Sequence, residues 1–265
     1  MSTALVTGAT AGIGNAFARA LAARGDHLVL VARDAPRLAE TAAGLRERHG
    51  VEVEIIAADL SDRAQLGRVA DRLRAGPAVD VLVGNAGFGV PGRFVGGDLV
   101  AEEQQLDVLT RAVLVLSHAA LPGMVERGRG AVITVSSVAG FLPSGTYSAA
   151  KAWATLFTRS LAGELGGTGV TATALCPGYV RTEFHQRAGI DMTGLPRWAW
   201  LDADRLVADC LADVARGRAV SVPGLQYRLA TAALRHAPMA LVDRVAQRRA
   251  AQRAGDGASP STPAT

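Results

Sequence analysis

The chain has 265 residues, 49% of them apolar and 20% charged, with a formal net charge of +4. That length can bury a large α/β core, and the 30 glycines follow no collagen-like period. Residues 225–265 hold six arginines against Asp243 and Asp256, so the whole positive excess sits at the C-terminal end and gives no reason to place nucleic acid on the main body.

The N-terminal MSTALVTGATAGIG lacks the basic start and long apolar run of a signal peptide. No stretch of 18 uninterrupted apolar residues is present, so no membrane-spanning helix is expected. Cys176 and Cys210 have neither metal-ligand spacing nor the density of a disulfide scaffold, and they read as reduced core thiols of a cytoplasmic protein.

Strand-like and helix-like segments alternate from the start. TALVTG is a short apolar strand ending at Gly8, and GIGNAFARALAARG carries apolar positions at helical spacing. HLVLVAR is a second strand, with a helix over APRLAETAAGLRERHG; VEVEIIAAD is a third, with a helix over DRAQLGRVADRLRAG. DVLVGNAG is a fourth, followed by a long helical region from about Leu99 to Arg127. GAVITVSSV is a fifth, then a helix from about Thr146 to Leu165, then GVTATALCPG as a sixth. A helix near Ala203–Arg216 precedes a seventh strand, AVSVPG.

Continuous Val/Ile/Leu strands, each followed by a helix, indicate a parallel sheet covered on both faces. The expected fold is therefore α/β, a doubly wound Rossmann-type sheet of about seven strands in one domain spanning residues 1–224. A basic helical segment over 225–253 and a disordered tail over 254–265 complete the chain.

Ligands of such sheets bind outside the carboxyl ends of the strands, with phosphate at the first strand-to-helix turn. Here that turn is TGATAGIG, which places Gly8, Thr10, Gly12, Ile13 and Gly14 at a helix N-terminus able to cradle a pyrophosphate. An acidic residue at the end of the second strand would bind a ribose 2′-hydroxyl. This chain has Ala32 and then Arg33, which favours the 2′-phosphate of NADP(H), with NAD(H) as the alternative. Asp34, immediately after, weakens that inference.

Of the 28 Lys and Arg residues, all but Lys151 are arginine. Lys151 lies four residues after Tyr147 on the predicted helix, so the two side chains share a face. A free tyrosine has a pKa of about 10 and is a poor base near neutrality, and a nearby ammonium favours the phenolate. Ser137, at the end of the fifth strand, is placed to donate a second hydrogen bond to the same substrate oxygen. A planar guanidinium at position 151 would keep the charge but not the compact ammonium on a flexible stem.

Together these residues resemble the short-chain dehydrogenase/reductase family. The likeness runs over about residues 3–224 through TGATAGIG, Asp59-Leu60, the NAG of Asn85, Ala86 and Gly87, Ser136-Ser137, YSAAK at Tyr147–Lys151, and Pro177-Gly178. The resemblance implies that Tyr147 is the general acid/base, that Lys151 binds the nicotinamide ribose, and that Ser137 orients the substrate oxygen. It further implies that Asp59 contacts the adenine, that Asn85 supports the cofactor pocket, and that Thr182 reaches the carboxamide or the phosphates. The expected substrate is a small-molecule ketone, aldehyde or alcohol, and the expected assembly is a homo-oligomer.

The chain departs from the family pattern at three places. Leu109 stands where members usually carry an asparagine that holds a relay water. Ser137 and Tyr147 are 10 positions apart, about three fewer than usual, so the joining loop is short. Gly84 stands where an asparagine often precedes NAG. These departures raise the alternative of a protein that binds NADP but catalyses poorly, acting as a cofactor-responsive binding protein. The residues Glu183–Trp200 are expected to cover the substrate, and Phe184, Met192, Leu195, Trp198 and Trp200 point to an apolar ligand. The segment from Leu225 reads as a cap on that pocket or a subunit contact, with a membrane surface as the weaker alternative.

Overall fold

A computed structural model describes residues 2–183, 194–237 and 243–244. Its centre is a seven-stranded sheet made of β1 (Thr3–Thr7), β2 (His27–Ala32), β3 (Val53–Ala57), β4 (Val81–Gly84), β5 (Gly130–Val135), β6 (Val170–Leu175) and β9 (Val220–Ser221). All pairings are parallel, in the order β3-β2-β1-β4-β5-β6-β9. Leu5 on β1 pairs with Val29 on one side and Leu82 on the other. This is the register expected of strands that are apolar on both faces.

One face is covered by α1 (Gly12–Ala23), α2 (Ala35–His49) and α7 (Ala203–Ala215), where Phe17, Leu21, Leu38, Leu206 and Cys210 are buried together. The other is covered by α3 (Arg63–Ala75) and α5 (Ala112–Glu126), with Leu66, Val69, Leu116 and Met124 in the core. Short polar residues start several helices: Asp34, Asp62 and Asp202 accept from the backbone N–H groups of Arg37, Gln65 and Arg205. Gly50 closes α2 in the left-handed conformation at φ 65°.

The long helical region is α4 (Leu99–Leu106), a π-turn over Asp107–Arg111, and α5 in one continuous rod. By length and composition Leu99–Glu126 is long and apolar enough to cross a membrane. Val108, Leu109, Ala112 and Leu116 are nonetheless buried in this fold. The π-turn inserts one extra residue where the rod passes the carboxyl end of the sheet, a place where such bulges often serve a site.

Two short strands not anticipated above, β7 (Tyr179–Val180) and β8 (Trp200–Leu201), pair in parallel as a separate two-stranded sheet. They are the stems of the segment expected to cover substrate. Phe184 and Met192 of that segment lie outside the described residues. Of the basic segment expected over 225–253, α8 (Leu225–His236) is described; the tail at 254–265 lies outside the described residues. The sheet order reverses between β1 and β4, so the carboxyl ends of these strands open a crevice, and the functional residues gather there.

Candidate active site

The turn after β1 is a backbone cradle. Gly8 and Gly12 have φ of 67° and 53°, which only glycine adopts without strain. A Cβ on Gly14 would stand 2.2 Å from the Gly8 carbonyl oxygen and 2.4 Å from Asn85 Nδ2, so the helix must start with no side chain there. α1 begins without a side-chain cap at Ala11, leaving its leading N–H groups to face an anion. Thr10 and Ile13 are half-buried on this turn. Thr182 lies over it, its Cγ2 2.9 Å from where a Gly12 Cβ would be.

Asn85 holds the cradle from below. Its Nδ2 donates to the carbonyls of Thr7 (2.8 Å) and Gly8 (3.3 Å), and its own N–H donates to Thr7 Oγ1 at 2.9 Å. Ala86 N–H donates to the same hydroxyl at 3.0 Å. Thr7 therefore joins β1 to the NAG turn. Motif reading passed over it because a buried threonine ending a strand carries no signal by itself.

Just past the carboxyl end of β2, Arg33 is 68% exposed and its guanidinium lies 4.0 Å from the Asp59 carboxylate. Asp59 also accepts from Ser61 N–H (2.9 Å) and Ser61 Oγ (2.7 Å). Leu60 is buried in the core beneath, so its side chain is not part of the site surface. Arg37, in the first turn of α2, makes a two-pronged ion pair with Glu183, at 2.6 and 3.2 Å. Glu183 follows Thr182, so this pair fastens the strand over the glycine turn to the helix beside Arg33.

Ser137 caps a short 3-10 turn, Val138–Phe141, and its Oγ accepts from Ala139 N–H at 3.1 Å. The same hydroxyl stands close enough to Tyr147 to act on the phenol, lowering its pKa. The short connection therefore brings both anchors together. It does so by packing directly on α6 (Gly145–Glu164): a Cβ on Gly140 would lie 2.8 Å from the Lys151 carbonyl carbon and the Ala152 nitrogen. Ser136 Oγ donates to the Lys151 carbonyl at 2.7 Å, and Val138 N–H donates to Pro177 O at 3.0 Å. Strand β5, helix α6 and the Pro177-Gly178 turn are locked to one another.

The start of α6 has a second support that the sequence did not reveal. Thr146, next to Tyr147, donates its hydroxyl to the buried carboxylate of Glu102 on α4, and Gln105 Oε1 lies 3.3 Å from the same hydroxyl. The partners are 44 positions apart, so no local pattern could have paired them.

Lys151 is buried, and its Nζ donates to the Val135 carbonyl at 2.7 Å while standing 5.7 Å from the centre of the Tyr147 ring. Burial lowers its pKa to about 8, partly offset by Cys176. Burial raises the Tyr147 phenol to about 12, and the nearby Ser137 hydroxyl works against that rise. The ammonium expected to act on the phenol stands beside its ring with Nζ on the Val135 carbonyl. Gly87 lies between Leu109 and Lys151: a Cβ there would be 2.8 Å from Leu109 Cδ2 and 3.7 Å from Lys151 Nζ. Leu109 is buried on the π-turn and fills the place expected of a polar relay residue.

A parallel doubly wound sheet, a glycine cradle at its switch point and a Ser-Tyr-Lys cluster on β5 and α6 define a dinucleotide-dependent oxidoreductase class. A family model for short chain dehydrogenase matches residues 2–192, and the chain belongs to that family. It is 36% identical over 190 residues to a very-long-chain 3-oxoacyl-CoA reductase of Anas platyrhynchos, covering 68% of this chain and 60% of that protein. A short-chain dehydrogenase from Sphingobium yanoikuyae in complex with NADPH superposes with a TM-score of 0.81 at 35% identity, covering 100% of this chain and 98% of that one. A bulky-bulky ketone specific alcohol dehydrogenase from Comamonas testosteroni superposes with a TM-score of 0.77 at 29% identity, covering 100% and 97%.

Proposed function

We propose that the protein is an NADP(H)-dependent oxidoreductase that interconverts an apolar ketone or aldehyde with its alcohol. The observation that carries this reading is the grouping of three side chains: the Ser137 hydroxyl lowers the pKa of the Tyr147 phenol, and the Lys151 ammonium stands 5.7 Å from the ring centre. A serine and a tyrosine so grouped are suited to share one carbonyl oxygen.

The nicotinamide, when bound, supplies or accepts the hydride. The chain's own residues do the rest. Gly8, Gly12, Gly14 and the start of α1 hold the pyrophosphate, with Thr182 closing over it. Arg33, beside Asp59 at the adenosine end, reads the 2′-phosphate, and the NADPH complex of the Sphingobium relative supports that choice. Lys151, next to Gly87, would hold the nicotinamide ribose. Ser137 orients the substrate oxygen, and Tyr147 gives it a proton in reduction and takes one in oxidation. Burial keeps the phenol protonated at neutral pH, which suits it to act as the acid in the reductive direction.

An apolar substrate is supported by Trp198 just before β8, by Trp200 at its start, and by the bulky ketones and oxoacyl chains named for the relatives. The alternative of a catalytically impaired binding protein rested on Leu109, Gly84 and the short loop, and the nearness of Ser137 to Tyr147 speaks against the last of these. We further read the protein as a cytoplasmic homo-oligomer: Leu114 on α5, with Trp153 and Leu156 on α6, leaves apolar area exposed for a second copy.

Tyr147→Phe tests the chemistry. NADPH binding, followed by fluorescence titration, should persist while carbonyl reduction falls at least a hundredfold or so; near-normal turnover would refute the role. Arg33→Asp should move preference toward NADH, and unchanged selectivity would place the phosphate contact elsewhere.

A further inference from the structure

We propose that Tyr227, on the C-terminal helix α8, is a positioning residue that sets the substrate side of the site by pinning the start of β7, just after the Pro177-Gly178 turn, to the residue before β8. This deepens the reductase reading and rests on it.

Tyr227 occupies the space that Gly178 leaves open. A Cβ at position 178 would lie 2.0–2.3 Å from its ring carbons Cζ, Cε2 and Cε1. The glycine of the Pro177-Gly178 turn therefore admits an aromatic ring from a helix almost 50 residues further on. Pro177 O accepts from Val138 N–H, one residue past Ser137. The ring thus rests on the turn after β6, which is hydrogen-bonded to the residue following Ser137.

The hydroxyl does a separate job. It accepts from Tyr179 N–H at 3.1 Å and donates to the Ala199 carbonyl. Tyr179 opens β7, and Ala199 immediately precedes β8. One phenol therefore joins the chain as it leaves the Pro177-Gly178 turn to the chain as it returns. Gln226 adds a bond from its Nε2 to Trp198 O at 3.2 Å. α8 itself is steadied by Thr231 Oγ1, which donates to the Tyr227 carbonyl at 2.8 Å. β7 and β8 pair only at Tyr179–Trp200 and Val180–Leu201, so a two-residue ladder would splay without the phenol across its open end.

The contacts that hold the cofactor side of the same segment, Thr182 against Gly12 and Glu183 with Arg37, do not involve α8. Loosening Tyr227 should therefore disturb substrate more than cofactor. This also assigns the C-terminal segment: its first turns belong to the catalytic unit.

The test uses full-length Tyr227→Phe, which keeps the ring against Gly178 and removes only the hydroxyl. With NADPH saturating, hydrogen exchange at the Tyr179 amide and at residues 199–201 should speed up about tenfold or more over wild type. The NADPH dissociation constant should stay within about twofold. For a bulky ketone, kcat/KM should drop about tenfold, mainly through KM, as expected when binding common to the ground state and the transition state is lost. Unchanged exchange at Tyr179 would overturn the pin. Faster exchange with unaltered kcat/KM, or a parallel loss of NADPH affinity, would overturn the positioning role. If wild type reduces no carbonyl compound, the reductase reading falls, and the exchange result alone decides whether Tyr227 holds the stems.

Discussion

Lys151 makes the sharpest quantitative prediction because it is the chain's only lysine and its ammonium is buried. Its pKa falls from the ordinary 10.5 to about 8, with burial as the main cause. At ~1.4 kcal/mol per pH unit, burying the charged form opposes folding by about 3 kcal/mol at neutral pH. Between pH 8 and 10.5 the unfolded chain binds the proton and the folded chain has released it, so stability rises with pH across that window. Tyr147 and Cys210 act in the opposite sense. Both are raised to about 12, from 10.0 and 9.0 respectively. The stability each contributes is fully present below its unfolded value and is lost as pH climbs toward 12.

Comparing wild type with Lys151→Met cancels the Cys210 contribution. The methionine leaves the Val135 carbonyl without the 2.7 Å bond from Nζ, an unsatisfied group worth about 1–3 kcal/mol. The two changes nearly offset each other at neutral pH, so the pH slope is the informative quantity. Urea unfolding at pH 7 and 9.5 should show wild type gaining about 2 kcal/mol on the variant. A difference that stays flat over that range would refute the buried-ammonium argument.

Gly14→Ala should abolish measurable NADPH binding and lower stability by about 1–3 kcal/mol, because its Cβ would meet the Gly8 carbonyl at 2.2 Å; titration and urea unfolding together check this. Thr146→Val should reduce kcat about tenfold with the NADPH dissociation constant unchanged, since it frees the start of α6 beside Tyr147. Glu102→Gln keeps an acceptor for the same hydroxyl and should retain most of the rate; equal losses in both variants would reject the Thr146–Glu102 support. Glu183→Gln should speed NADPH release by up to about fivefold in stopped flow, the scale of a partly exposed ion pair. No change would mean that the pair does not fasten the segment over the cofactor.

The local chemistry of this protein was legible in its sequence. Alternating apolar strands and amphipathic helices determine a doubly wound sheet, because each element must bury its own apolar face. TGATAGIG determines a tight turn at the head of α1, because only glycines fit the backbone at Gly8, Gly12 and Gly14. The four-residue interval from Tyr147 to Lys151 places both side chains on one helical face wherever that helix goes. Folding alone decided how distant segments meet. The loop from Ser137 reads as too short, yet it closes because Gly140 packs on the backbone of α6. Lys151 shares a helical face with Tyr147 as its spacing requires, and the fold adds that its Nζ rests on the Val135 carbonyl. Tyr227 reaches Gly178, Glu183 reaches Arg37 and Glu102 reaches Thr146 across separations of tens of residues. A lone tyrosine or glutamate in a helix has no periodicity that names its partner, so these contacts follow only from the way the layers pack.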